Sequence, residues 1–204
     1  VDRIVTLSRE LKLEALTLYS FSDENWNRPS LEIKTLMKIL DFYLKKELKR
    51  MKEENIRFNT IGHIEDLPGE IQKLIRNSIE DTSDNTGMTL TLALSYGGRQ
   101  EIIDAVKAIA QQVHSGQLNP EEIDSCLFES FLSTQSLPDP DLIIRTSGER
   151  RISNFLLYQS AYTELFYSKV LWPDFSDDDF LNAIIDFQGR ERRFGMTQEQ
   201  IVKA

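Results

Sequence analysis

Apolar residues recur along this chain in two rhythms, one near every second residue and one near every 3.6. The clearest two-residue rhythm runs from Gly87 to Tyr96, with Met88, Leu90, Leu92, Leu94 and Tyr96 on one face and Thr89, Thr91, Ala93 and Ser95 on the other. That alternation predicts a strand, ended by Gly97-Gly98. Ala15 to Phe21, Ile56 to Ile61, Leu142 to Ile144 and Glu164 to Tyr167 are further strand candidates, Leu142 to Ile144 being read as short and buried. The helical rhythm is strongest from about Leu31 to Glu54, where Ile33, Leu36, Met37, Leu40, Tyr43, Leu44, Leu48 and Met51 share a core-facing stripe. Other helical patterns cover Ile4 to Leu11, the segment opened by Pro68 with Ile71, Leu74, Ile75 and Ile79, and Ile102 to Val113. Asn119-Pro120-Glu121-Glu122 has the cap, proline and acidic first turn of another helix start, and Ser176 followed by three aspartates caps a last one.

Strand and helix alternate throughout, which predicts an α/β domain whose mainly parallel central sheet is flanked by helices. With no linker or repeat in view, residues 1–195 read as a single domain and 196–204 as a tail. Ligands of open parallel sheets sit at the carboxyl ends of strands. That rule selects the loops Ser22–Pro29, Tyr96–Arg99 and Arg145–Ser153, which are also rich in polar side chains. The last carries Arg145, Arg150 and Arg151 beside hydroxyl donors and Gly148. Guanidinium groups present forked donors that match phosphate, so the loop can cradle a diphosphate. The competing reading pairs these arginines with the chain's many carboxylates.

Composition narrows the field. The net charge of −9 over 204 residues argues against broad nucleic-acid binding, which needs a basic surface. An anionic ligand should therefore be small and held at a defined place. Cys126 is the only cysteine, which rules out an internal disulfide and fits a reducing compartment. No apolar run approaches the ~20 residues that span a bilayer, and no signal peptide is visible. The expected location is cytoplasmic. The chain opens at Val1 already inside an amphipathic pattern, so a preceding segment is expected.

Taken in order and spacing, the motifs resemble the cis-prenyltransferases, most closely the undecaprenyl diphosphate synthases of bacteria. The matching text is Leu16 to Pro29, Ser95-Tyr96-Gly97-Gly98-Arg99, Asp141 to Phe155, Ala161 to Leu165, Leu171 to Phe175 and Arg190 to Gly195. The resemblance implies a transferase that condenses isopentenyl diphosphate onto an allylic, farnesyl diphosphate with cis geometry. The product would be a long polyprenyl diphosphate, undecaprenyl diphosphate for the cell-wall carrier lipid. It further implies Mg²⁺, a homodimer, and peripheral membrane contact for product release, with no nucleic-acid partner. A non-catalytic partner subunit of such a complex is the alternative. The family's opening Asp-Gly-Asn-Gly-Arg-Trp segment, with the aspartate central to its chemistry, does not occur after Val1, and the chain as written is not expected to act alone.

Residue by residue, the resemblance assigns the isopentenyl diphosphate site to Arg145, Arg151 and Ser153, and the Mg²⁺ carboxylate to Glu164. Ser22, Asp23, Glu24, Trp26 and Arg28 match its substrate-contacting loop, and Asn25 the position proposed there as proton acceptor. A neutral amide is a poor base near pH 7, so a positioning role for Asn25 is physically easier, with water or a diphosphate oxygen taking the proton. Trp26 can face a prenyl chain or serve the core, and Arg28 can reach phosphate or fasten the loop to an acid. Arg193 and Gly195 match an Arg-x-Gly motif that reaches toward the partner's diphosphate site. The long helix, by the same resemblance, walls the tunnel that receives the growing chain. His63 and His114 read as surface residues without a role.

Overall fold

The structure, a computed structural model, describes residues 1–191. Arg193 and Gly195 lie outside them. The chain divides into two compact units, one from Val1 to Pro138 and one beginning at Asp139, so the break falls inside the Pro138-Asp139-Pro140 segment of the expected 1–195 domain.

In the first unit, α1 (Asp2–Glu10) leads to β1 (Ala15–Ser22), a 3-10 turn at Asp23–Asn27, and the long α2 (Ser30–Glu53). Then come β2 (Arg57–Ile61), a 3-10 turn at Ile64–Asp66, α3 (Gly69–Asp81), β3 (Thr89–Tyr96) and α4 (Gly98–His114). The sheet order is β1-β3-β2, and both pairings are parallel. Because β3 is central, its second face is covered as well: Thr91, Ala93 and Ser95 are buried along with Leu90, Leu92 and Leu94. The alternation of β3 therefore marks a strand correctly, but not a polar face, as expected of parallel strands covered on both sides.

Helix α2 turns Met37, Leu40, Leu44 and Met51 inward, against Ile71 and Ile75 of α3 and Phe58 of β2 in one cluster. Leu44 and Ile75 are fully buried, each worth about 1.5–3 kcal/mol of transfer free energy. Asn119 caps as its sequence predicts, accepting from the Glu121 amide while Glu122 reaches back to the Asn119 amide at 2.9 Å. The helix nonetheless stops after Pro120–Glu122, because Ile123 is extended. Asp124 then caps a separate short α5 (Ser125–Glu129).

The second unit contains β4 (Leu142–Arg145) paired in parallel with β5 (Glu164–Tyr167), then a 3-10 turn at Trp172–Asp174 and α6 (Asp177–Gln188). Leu142, Ile143 and Ile144 are half-buried rather than buried. Phe155, Leu156, Phe175, Phe180 and Ala183 are the buried apolar residues among those described in this unit. Ser176 opens α6 through a reciprocal box with Asp179, as its sequence predicts. Every strand pair among the described residues is parallel, in keeping with the mainly parallel sheet expected. The described strands fall into two sheets, where the alternation of elements alone suggests one.

Candidate active site

Parallel pairing places the ends of β1, β2 and β3 on one edge of the first unit's sheet. Asp23–Asn27 leaves β1 as a single tight turn, closed by a box in which Asn25 Oδ1 accepts from the Ser22 amide at 3.1 Å. This bond occupies the oxygen a proton acceptor would use and leaves the NH2 of the amide to donate. Trp26 packs edge-on to Phe21, ring centroids 4.9 Å apart, and its indole N–H donates to Ser95 Oγ at 2.8 Å. Ser95 is completely buried with φ at +47°, a left-handed conformation that costs a non-glycine residue energy and often marks functional positions. Its hydroxyl donates to Asp66 Oδ2 at 2.9 Å, with Asp23 Oδ1 a longer alternative at 3.4 Å. Ser95 thus ties the β1 loop to the β2 loop.

Burial pushes the Asp23 carboxyl above its ordinary value, against the opposing pull of His63 and the Ser95 hydroxyl. His63 is exposed but tethered: its amide donates to the Ser95 carbonyl at 3.0 Å, and its Nε2 stands 2.9 Å from Asp104 Oδ2 of α4. Gly62, at φ +97°, permits this approach, since a Cβ there would lie 2.3 Å from the Leu94 carbonyl oxygen. Beyond Ser95, the Tyr96 hydroxyl donates to Glu101 Oε2 at 2.7 Å, and Glu101 Oε1 accepts from the Ser133 amide at 3.0 Å. These bonds satisfy the buried Glu101 carboxylate and fix the Gly97-Gly98 entry to α4. Glu24 is exposed, and Arg28 is exposed and bound to Glu32 at 2.7 Å, fastening the loop to α2.

In the second unit, Arg145 stands at the carboxyl end of β4, half-buried, and its Nη1 donates to Ser153 Oγ at 3.0 Å. Among the described residues no carboxylate pairs with it. The intervening loop is held by backbone bonds from Ser147 to Val170 and from Gly148 to Ser168, both 2.8 Å. Ser147, Gly148, Ser153 and Asn154 all have positive φ, so the loop that carries the arginines is bent by left-handed residues at both ends. Arg151 is exposed and bound to Glu149. Two of the three residues expected to hold one diphosphate, Arg145 and Ser153, are therefore in contact, and the third rests on an acid.

Glu164 is the first residue of β5 and pairs with Leu142, whereas Arg145 pairs with Tyr167. Three strand steps, about 10 Å, separate their levels in the sheet. Glu164 Oε2 accepts from Arg190 Nη1 at 2.7 Å, and Arg190 also donates to the Leu165 carbonyl and to Asp186. Among the described residues no three His, Cys, Asp or Glu side chains gather into a metal site. One carboxylate already engaged by a guanidinium does not by itself fit Mg²⁺, which takes near-octahedral oxygen ligands.

Sequence motifs assign nothing to Asp66, Asp104 or Glu101, leave His63 as a surface residue without a role, and include Ser95 only as part of the segment Ser95-Tyr96-Gly97-Gly98-Arg99. The partners of Ser95 lie 29 and 69 residues away in the chain. No periodicity signals such bonds.

Known proteins resemble this chain over nearly its whole length. The family model described as "Putative undecaprenyl diphosphate synthase" matches residues 1–195. The isoprenyl transferase of Geobacter sulfurreducens is 51% identical over 198 residues, 97% of this chain and 80% of that protein. That of Bacillus subtilis strain 168 is 49% identical over 195 residues, covering 96% and 75%. Among solved structures, lavandulyl diphosphate synthase from Lavandula x intermedia, in complex with dimethylallyl diphosphate, superposes with a TM-score of 0.91 at 36% identity, covering 95% of this chain and 84% of that one. A probable undecaprenyl diphosphate synthase from Campylobacter jejuni gives 0.83 at 33% identity, covering 95% and 89%.

Proposed function

This chain belongs to the undecaprenyl diphosphate synthase family of isoprenyl transferases, and from that premise we propose that it joins isopentenyl diphosphate to an allylic diphosphate with cis geometry. The observation that carries the reading is Arg145, a half-buried guanidinium at a strand end, bound to Ser153 and without a carboxylate partner among the described residues. A cation placed so, with donors to spare, suits a diphosphate.

In the proposed step the allylic C–O bond breaks and the electron pair leaves with diphosphate. The double bond of isopentenyl diphosphate attacks the allylic carbon, forming the new C–C bond, and a proton leaves the adjacent methylene carbon. The protein's work is to hold charge and exclude water. Arg145 and Ser153 grip the diphosphate of isopentenyl diphosphate, and Arg151 joins them when it releases Glu149. The turn Ser22–Arg28 contacts substrate. Asn25 orients by its free amide hydrogens, and a diphosphate oxygen or water takes the proton. Trp26, pinned by Ser95, offers a fixed apolar wall.

Mg²⁺ would supply charge neutralisation on the leaving diphosphate. Glu164 is this chain's candidate ligand and would have to loosen its bond to Arg190. The same reading includes farnesyl diphosphate as primer, a long-chain product such as undecaprenyl diphosphate, a homodimer in which Arg193 and Gly195 serve the partner's site, and peripheral contact with a membrane on the cytoplasmic side. The test is incubation of the complete protein with farnesyl diphosphate, labelled isopentenyl diphosphate and Mg²⁺, with the products sized. Labelled polyprenyl chains are expected, and absence of incorporation contradicts the proposal.

A further inference from the structure

Helix α2 carries a second apolar set that the core does not use. Leu31 is 76% exposed, Ile39 59% and Phe42 68%, on the side away from the buried Met37, Leu40, Leu44 and Met51. Leu31, Lys38, Phe42, Lys45 and Lys49 follow at three-, four- and seven-residue intervals, so they form one row along the helix. Lys34 and Lys46 flank that row and are exposed as well. Over its length α2 has seven basic residues against four acidic ones, a net of +3, in a chain whose net charge is −9. Lys45 and Lys46 reach Asp41 and Asp2, whereas Lys34 and Lys38 have no ion pair among the described residues.

We propose that this outer face of α2, the row together with Ile39 at its edge beside Lys46, docks on an anionic phospholipid bilayer, with Leu31, Ile39 and Phe42 entering the interface and the lysines meeting the headgroups. Large apolar side chains bordered by lysine, on a helix too charged to cross a membrane, are the pattern of a helix that lies in the interfacial plane. Charge selects the occupant. A second copy seated on the same row would set lysine against lysine, and an acidic surface is what the lysines complement. The bilayer, as destination of an apolar prenyl product, rests on the function proposed above. The face itself rests on exposure and charge.

The test is flotation of the complete protein with vesicles of mixed phosphatidylglycerol and phosphatidylcholine, compared with phosphatidylcholine alone. Binding is expected to favour the anionic vesicles and to weaken with salt. Phe42→Ser, at an exposed position, should bind about tenfold more weakly or worse. Each reversal at Lys34→Glu or Lys38→Glu changes the charge by two and should cost roughly 30-fold on anionic vesicles, reducing the preference for anionic lipid. Thermal melting of each variant checks the fold. The proposal is overturned if the protein does not float with anionic vesicles, or if folded Phe42→Ser floats as the parent does. It is equally overturned if sedimentation shows that Phe42→Ser dissolves a dimer while vesicle binding is unchanged. Prenyl transfer assayed in detergent, without vesicles, separates the two readings: loss of transfer with flotation intact sinks the function, and the reverse sinks the docking face.

Discussion

Replacing Arg145 by alanine removes the one guanidinium that the second unit holds at a strand end without an acidic partner among the described residues. One of its nitrogens is committed to Ser153 at 3.0 Å, which leaves the rest of the fork for ligand. A charge-assisted hydrogen bond contributes about 1.5–3 kcal/mol, and the site is half-buried, so the value for fully exposed ion pairs is too low here. Loss of a single such bond weakens isopentenyl diphosphate binding roughly 10- to 150-fold, and loss of a bidentate pair weakens it further. Arg145→Lys should fall between, since it keeps the charge and loses the fork. The assay is calorimetric titration of isopentenyl diphosphate into the complete protein, with KM measured alongside and melting used to confirm the fold. A folded Arg145→Ala protein with unchanged affinity and KM refutes the assignment.

Ser95→Ala should leave the Trp26 indole N–H without its acceptor, lowering kcat/KM about tenfold and altering Trp26 fluorescence; Ser95→Asn, which tolerates positive φ and can both donate and accept, should restore much of the loss, and failure of any change in Ala would remove Ser95 as the tie. Asp23→Asn should raise Tm at neutral pH, because burial lifts the folded carboxyl above 3.8. The folded state then holds the proton more tightly than the unfolded one, and stability falls as pH rises from about 3.8 through the folded value. The advantage of Asn over Asp should therefore vanish below about pH 3.8, and an advantage independent of pH contradicts the burial argument. Mixing Arg145→Ala with Arg193→Ala protomers should restore about a quarter of the activity if Arg193 serves the partner's site in a twofold dimer; no restoration would place its action within one chain.

Much of the fold is legible because its signals are local. The alternation in Thr89–Tyr96 and the helical stripe of Ser30–Glu53 each follow from neighbours along the chain. The burial of both faces of β3 is not local, since it depends on pairing with β1 and β2. The same limit divides the site. Ser22, Asn25, Arg145 and Ser153 are readable as motif residues, and Arg145 does meet Ser153. The bonds joining Trp26 to Ser95, Ser95 to Asp66 and His63 to Asp104 connect segments that come together only through parallel pairing. Glu164 shows the converse. Motif order suggests a free metal ligand, whereas strand register and Arg190 make it one half of an ion pair. Nor did the core stripe of α2 announce Leu31 and Phe42, because periodicity locates one face and is silent about the other.

The most direct measurement is a crystal structure of the complete protein with isopentenyl diphosphate bound. Phosphate oxygens are expected within hydrogen-bond reach of Arg145 and Ser153, with Arg151 turned from Glu149 to the ligand. A diphosphate bound elsewhere, with Arg145 still held only by Ser153 and Arg151 by Glu149, would contradict it.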